Sequence, residues 1–318
     1  VFALNDALVR VPLIIRFPKK YEQLTPSAPG TTCDRLVNFV DFGPTVLSLA
    51  GVPIPSTMQG VPFLGAKAEP ERQYVHGFRD RMDERYDMLR SVRDERYKLI
   101  RNYQPQKPYF GVQHLSYQYE MPTMQAWERL AAAGELNAVA AQWMQPTKPD
   151  VELYDTVADP WEINNLADDP QYAEVRQRLQ TELARWMQDI GDLGLLPECD
   201  LRTRFKNEPP YDAIRREPQS YPFARILAAA ELAASTRPAS ADEQTKLLEL
   251  ASDDDAAVRY WAIRGLVNRC GDDKCQAALV TALKDDAPAV RITAAEALAA
   301  DENGDQGLSV LATAIKSD

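Results

Sequence analysis

Apolar and polar positions change period several times along this chain, and each change predicts a different element. Residues 8–17 read L-V-R-V-P-L-I-I-R-F, a near-continuous apolar run closed by Pro18 and Lys19. Such a run predicts a strand covered on both faces, as in the parallel or mixed sheet of an α/β domain. Residues 36–50 predict a helix, with Asp41 as N-cap, Pro44 in the first turn and Val46, Leu47, Leu49 and Ala50 recurring. Gly51 ends it, and Pro53 and Pro55 forbid continuation. Residues 58–72, punctuated by Pro and Gly, read as a surface crossing. Alternation then predicts antiparallel strands at 74–78, 87–93 and 97–102, the last two joined by Asp94-Glu95-Arg96 as a hairpin link. Residues 151–154 make a further strand, with Asp159-Pro160 as the turn after it.

Residues 104–122 are rich in aromatics and Pro and predict a long loop, and 124–144 are helical in composition with a break at Gly134. Residues 171–189 predict an amphipathic helix presenting Val175, Leu179, Leu183, Trp186 and Ile190 on one face. Residues 199–221 show no periodicity and read as a linker. Beyond it, 247–266 and 279–298 align at a period of 32: Asp253-Asp254 on Asp285-Asp286, Val258-Arg259 on Val290-Arg291, Ala262 on Ala294, Leu266 on Leu298. Paired helices around an Asp-Asp turn resemble HEAT-like repeats stacking into an α-solenoid. A weaker unit starts at Phe223 and a last helix at 308–315 would cap the stack. Arg259 and Arg291 are expected to meet the Asp pairs of neighbouring turns.

The first 200 residues resemble the second half of a type I, formylglycine-dependent sulfatase. The resemblance rests on R-V-P-L-I-I-R-F-P at 10–18, L-V-N-F-V-D-F-G-P-T-V-L-S-L-A-G-V-P-I-P at 36–55, Y-D-M-L-R-S-V-R-D-E-R-Y-K-L-I-R-N at 86–102 and E-L-Y-D-T-V-A-D-P-W-E-I-N-N-L-A-D-D-P at 152–170. With R-D-R-M-D-E at 79–84 it is most similar to the branch that includes heparan N-sulfatases. It implies an alkaline-phosphatase-like α/β fold: the end of the catalytic domain at 1–65 and a C-terminal subdomain with a small antiparallel sheet at 66–200. A linker at 201–221 and an all-α HEAT-like solenoid at 222–318 follow. The implied activity is hydrolysis of sulfate esters or sulfamates of a sulfated carbohydrate, by a formylglycine hydrate with Ca2+ bound at the sulfate.

No cysteine here has Pro two residues on, so the resemblance puts nucleophile, general acid and Ca2+ ligands upstream of Val1. The expectations are therefore a part of a longer enzyme, inactive by itself, with no catalytic and no metal residue in this chain. The alternative is a non-catalytic sulfatase-like protein working through a protein partner on its repeats. A periplasmic or extracellular location is implied by the resemblance alone.

Composition narrows the partners. The net charge of −11 argues against a non-specific nucleic-acid binder, and no apolar run reaches bilayer length. Residues 221–318 hold ten basic against sixteen acidic residues, so a partner there would be basic or apolar. Cys270 and Cys275 could pair, though two small residues in a helical core is the better reading. With two histidines and no C-x-x-C, a structural zinc site is not expected.

The candidate substrate contacts are His76, Arg79, Asp80, Arg81, Asp83 and Glu84. Arg79 and Arg81 can grip a sulfate or carboxylate, since a guanidinium offers paired donors to an oxyanion. The three acids would orient those arginines or accept from sugar hydroxyls. A solvated turn of mutual ion pairs is the competing reading. His114 in the aromatic loop could touch sugar, Arg90, Arg93 and Arg96 are expected to pair with Asp87, Asp94 and Glu95, and Asn164 and Asn165 are expected to cap backbone.

Overall fold

A computed structural model describes residues 3–82, 85–110, 120–300 and 304–316. Asp83, Glu84 and His114 lie outside the described residues. Four strands, β1 (Val75–Met82), β2 (Arg85–Arg93), β3 (Tyr97–Asn102) and β4 (Val151–Asp155), form one antiparallel sheet in the order β1-β2-β3-β4. The β2–β3 hairpin closes where the sequence places it. The Asp94 carboxylate accepts from Arg96 N at 2.8 Å and Tyr97 N at 2.6 Å, the local hydrogen bonding that suits Asp to turns.

The chain divides into two interleaved units, residues 1–78, 90–100 and 152–183 in one and 79–89, 101–151 and 184–318 in the other. In the first unit, the strand expected at 8–17 is not formed. A one-turn helix, α1 (Asp6–Val9), occupies its start, and the rest is irregular and open, with Ile14 90% exposed. A strand buried on both faces needs neighbours on both edges, and no described strand pairs with this run. Helix α2 (Phe42–Ala50) does form and ends on Gly51 at φ 71°. Instead of capping α2, the Asp41 carboxylate accepts from Asn38 N, Val61 N and Arg72, fixing the 58–72 crossing.

A buried ionic knot sits in the same unit. Lys98 on β3 donates to Asp6 at 2.8 Å and lies 3.4 Å from Glu162, while Arg93 reaches Asp6 at 3.2 Å. Glu162 holds a positive φ of 53° and accepts the Asp6 N–H at 3.0 Å. The D-P-W-E-I-N-N-L block is thus structural. Asn165 Oδ1 accepts from Leu153 N and Ala167 N, the backbone cap expected of it, whereas Asn164 donates its backbone and side-chain N–H to the Asp159 carboxylate and caps no backbone group there. The turn buries Ala167. Arg96 bonds Asp155 at 2.7 Å in place of Glu95, and Arg178 takes Asp94, while Arg90 lies over the Phe78 ring.

In the second unit, 122–133 and 138–142 are helical (α3, Pro122–Ala133, and α4, Ala138–Gln142), and Gly134 ends α3 at φ 70°. The long amphipathic helix α5 (Ala173–Ile190) spans both units' ranges. The expected linker contains two short helices, α6 (Glu198–Arg204) and α7 (Pro210–Arg216). Their period is too short to register as apolar alternation. Helix α6 carries ion pairs at one-turn spacing, Arg202 on Glu198 and Arg204 on Asp200, and Arg216 at the end of α7 pairs with Glu208 before it.

The repeats run α8 (Phe223–Ala233), α9 (Ala241–Leu250), α10 (Ala256–Arg269), α11 (Asp273–Ala282), α12 (Pro288–Ala299) and α13 (Gly304–Ala314). Helix α10 packs on α8, α9, α11 and α12, and α12 on α13. Gly265 permits that approach, because a Cβ there would stand 2.5 Å from Leu247 Cδ2 and 3.2 Å from Ala233 Cα. Arg259 donates to Asp285 at 2.7 and 2.8 Å and to Asp286 at 2.7 Å, and Arg225 lies 2.8 Å from Asp254. Arg291 caps the carbonyls of its own Asp285-Asp286 turn. Cys270 and Cys275 are free thiols, and burial pushes Cys275 up to about 12.

The repeats do not bury their apolar faces on one another alone. Trp261, wholly buried on α10, donates to Leu195 O at 2.8 Å and meets the Tyr103 ring edge-on at 6.3 Å. Arg101 bonds Glu231 and Ala234 O, and Tyr103 Oη donates to Glu231 at 2.8 Å. Arg204 pairs with Asp255 at 2.9 Å. The repeats are thus built onto the residues beside β3.

Candidate functional site, a buried cationic cluster

Strands β1 and β2 bring Arg79, Arg85 and Asp87 together, because side chains two apart on a strand share a face. Asp87, 1% exposed, is the common acceptor. Arg79 Nη1 donates to it at 3.1 Å, Arg85 Nη2 at 3.0 Å, and Lys148 Nζ to both its oxygens at 2.5 Å. Arg85 also donates to Pro108 O and to Tyr109 O at 3.0 Å, which ties the 103–110 segment to β2. Lys107 on that segment donates to Tyr86 O at 2.8 Å. Lys148 N bonds Pro105 O, and its ammonium lies 5.3 Å from the Tyr109 ring centre.

The electrostatics follow from burial. Lys148 is pulled down to about 8 by desolvation, with Arg85 and Arg79 adding to it and Asp87 opposing. Lys107 is likewise pulled down to about 8, by burial first and then by Arg264. Several buried polar atoms nearby in sequence have no partner: Arg85 Nε, both amide atoms of Gln104, Gln106 Nε2 and Trp127 Nε1. Beside them the rings of Tyr109, Phe110, Trp127 and Trp143 stack with centres 4.7 to 5.8 Å apart.

Of the substrate contacts read from the sequence, Arg79 belongs to this cluster. Arg81 lies further along β1, stacked 4.6 Å over the Tyr86 ring, bonded to Leu196 O and 28% exposed. Asp80 is half-buried on the same strand. His76 falls in the other unit, 3.3 Å from Glu182. Sequence reading missed Arg85, Lys107 and Lys148 and gave Asp87 a different partner; Lys107 in the aromatic loop was the one local signal. Among the described residues no group of three or more His, Cys, Asp or Glu is placed to hold a metal ion, so the implied Ca2+ finds no donor set among them and no step is routed through it. No described helix is long and apolar enough to cross a membrane.

The lysines make stability pH-dependent with a defined sign. A lysine held near 8 when folded and 10.5 when unfolded is less protonated in the folded state between those values, so stability rises with pH across that window. Urea titrations at pH 7.5 and 9.5 should therefore show a gain in the parent that shrinks in Lys107→Met. An equal gain in both would remove Lys107 from the buried set.

The described residues thus form a small antiparallel sheet with helices, followed along the chain by helix pairs joined at an Asp-Asp turn. Residues 2–110 match the family model for the C-terminal region of N-sulphoglucosamine sulphohydrolase, and residues 245–318 that for HEAT repeats. The chain carries a sulfatase C-terminal region joined to HEAT repeats. An ulvan-active sulfatase of Formosa agariphila is 41% identical over 202 residues, 64% of this chain and 33% of that protein. The human N-sulphoglucosamine sulphohydrolase is 27% identical over 201 residues, 57% of this chain and 37% of that protein. A solved putative sulfatase from Bacteroides thetaiotaomicron, 21% identical, covers 51% of this chain and 25% of its own with a TM-score of 0.31. The chain spans about a third of the length of the curated relatives it matches.

Proposed function

We propose that this chain is the C-terminal part of a sulfuric-ester hydrolase acting on a sulfated carbohydrate, and that it supplies structure and outer substrate contacts while nucleophile, general acid and Ca2+ ligands come from elsewhere in the enzyme. The reading is supported above all by the ordered match of residues 2–110 to a sulfatase C-terminal region. The open apolar run at 11–15 and the uncovered Val46 and Leu49 of α2 agree with it, since a surface of that kind calls for a covering domain.

Substrate contact is assigned to Arg81 and Asp80 on β1, with Arg79 bracing the strand through Asp87; Asp83 and Glu84, next in the sequence, and His76 are the remaining outer candidates. Arg81 can donate to an oxyanion while its Tyr86 stacking keeps it in place.

In the complete enzyme, Arg81→Ala should lower kcat/KM for a sulfated oligosaccharide by the equivalent of about 1.5–3 kcal/mol with the circular dichroism spectrum unchanged. Wild-type kinetics in that variant would return the segment to a solvated turn. Sulfatase assays of the chain alone should show no turnover, and measurable hydrolysis would overturn the assignment of the nucleophile to another part of the enzyme.

A further inference from the structure

Four cations of the second unit, Arg79, Arg85, Lys107 and Lys148, lie about one described carboxylate, Asp87, and the last three meet in a buried corner between β2 and the 103–110 segment. Arg85 and Lys148 bond Asp87 directly, and Lys107 holds the carbonyl of the residue before it. Arg85 and Lys148 are each under 5% exposed, whereas Lys107 is half-buried and marks the side from which the corner can be reached. Burying cations beyond the number of their counter-charges costs several kcal/mol per ion unless a further anion arrives.

We propose that this corner is an oxyanion site, taking the sulfate or carboxylate group of an acidic sugar with Lys107, Lys148 and the Arg85 guanidinium as its cationic ligands. Charge and geometry carry the inference without the catalytic reading above. Arg85 Nε remains as a buried donor without an acceptor, which an incoming oxygen would satisfy. The Trp127 indole N–H and the Gln106 amide are further unpartnered donors of the kind that bond sugar hydroxyls. The rings of Tyr109, Phe110, Trp127 and Trp143 offer apolar faces for a pyranose, and Lys148 stands over one of them. The lowered lysine values fit the same picture, because an anion bound there would restore both ammonium groups.

Binding to the chain is measured by calorimetry at pH 7 with three probes at fixed ionic strength: sodium sulfate against sodium chloride, a sulfated uronate-containing disaccharide, and its desulfated, carboxyl-reduced analogue. The disaccharide should bind at least tenfold more tightly than inorganic sulfate, and the neutral analogue not at all. Equal binding of sulfate and disaccharide would still establish the oxyanion site, with a free anion as its occupant. Lys107→Met should weaken the charged probes at least tenfold, with Lys107→Arg restoring binding to within threefold. Lys107 lies at the mouth of the corner, so thermal melting is expected to leave both variants folded. No binding of any charged probe, or wild-type binding by folded Lys107→Met, would overturn the proposal and leave the cations as braces for Asp87.

Discussion

Asp87→Ala should be among the most damaging single changes in this chain, with unfolding in urea easier by about 3–5 kcal/mol. The side chain is small and its lost packing is minor. What makes the loss large is that Arg79, Arg85 and Lys148 all donate to this one carboxylate, and each keeps its charge in a place water does not reach. Asp87→Asn tests the cause, since it keeps the shape and removes the charge, and it should lose most of the same stability. Adding Lys148→Met to Asp87→Ala should recover part of it by taking away one stranded cation. A loss under about 1 kcal/mol in Asp87→Ala would show that the cluster is hydrated and only weakly coupled.

Trp261→Ala is expected to cost a comparable amount, about 3–5 kcal/mol, by opening a cavity at a fully buried indole. Its effect should not stay within the repeats. The indole N–H is bonded to Leu195 O and the ring meets Tyr103, so hydrogen exchange should accelerate at residues 101–103 and 195–196 as well as along α10. Trp261→Phe keeps most of the packing and should lose only about 1 kcal/mol for the hydrogen bond. Acceleration confined to 256–269 would restore the picture of a tail that stands by itself.

Local chemistry was legible in the sequence wherever a short stretch decides the outcome. The Asp94-Glu95-Arg96 hairpin, the Gly51 and Gly134 helix ends and the 32-residue repeat all depend on neighbours a few positions away. The apolar run at 8–17 shows the limit. Its composition records a preference for burial, but a strand exists only by its partners, and Ile14 is left open among the described residues. The cationic cluster was illegible for a related reason. Asp87 was read as a strand-surface partner of Arg90, whereas its ligands come from positions 79, 85 and 148, and no spacing rule links those. Arg79 was singled out as a substrate contact for its place in a charged run and not for the carboxylate it meets. Likewise 198–216 lacked apolar alternation because its helices are one to two turns long, the first with ion pairs at one-turn spacing.

The arginines of the first two repeat units grip the aspartate pair of the unit after them: Arg225 reaches Asp253 and Asp254, and Arg259 reaches Asp285 and Asp286. The middle unit therefore carries a plug on one side and a matching socket on the other, both supplied by the same 32 residues, while Arg291 turns back on its own aspartate pair. A duplicated block would arrive with its own joint at either end. The length of the helical tail can thus drift by whole units in evolution, while the residues seated beside Tyr103 and Leu195 keep their fit.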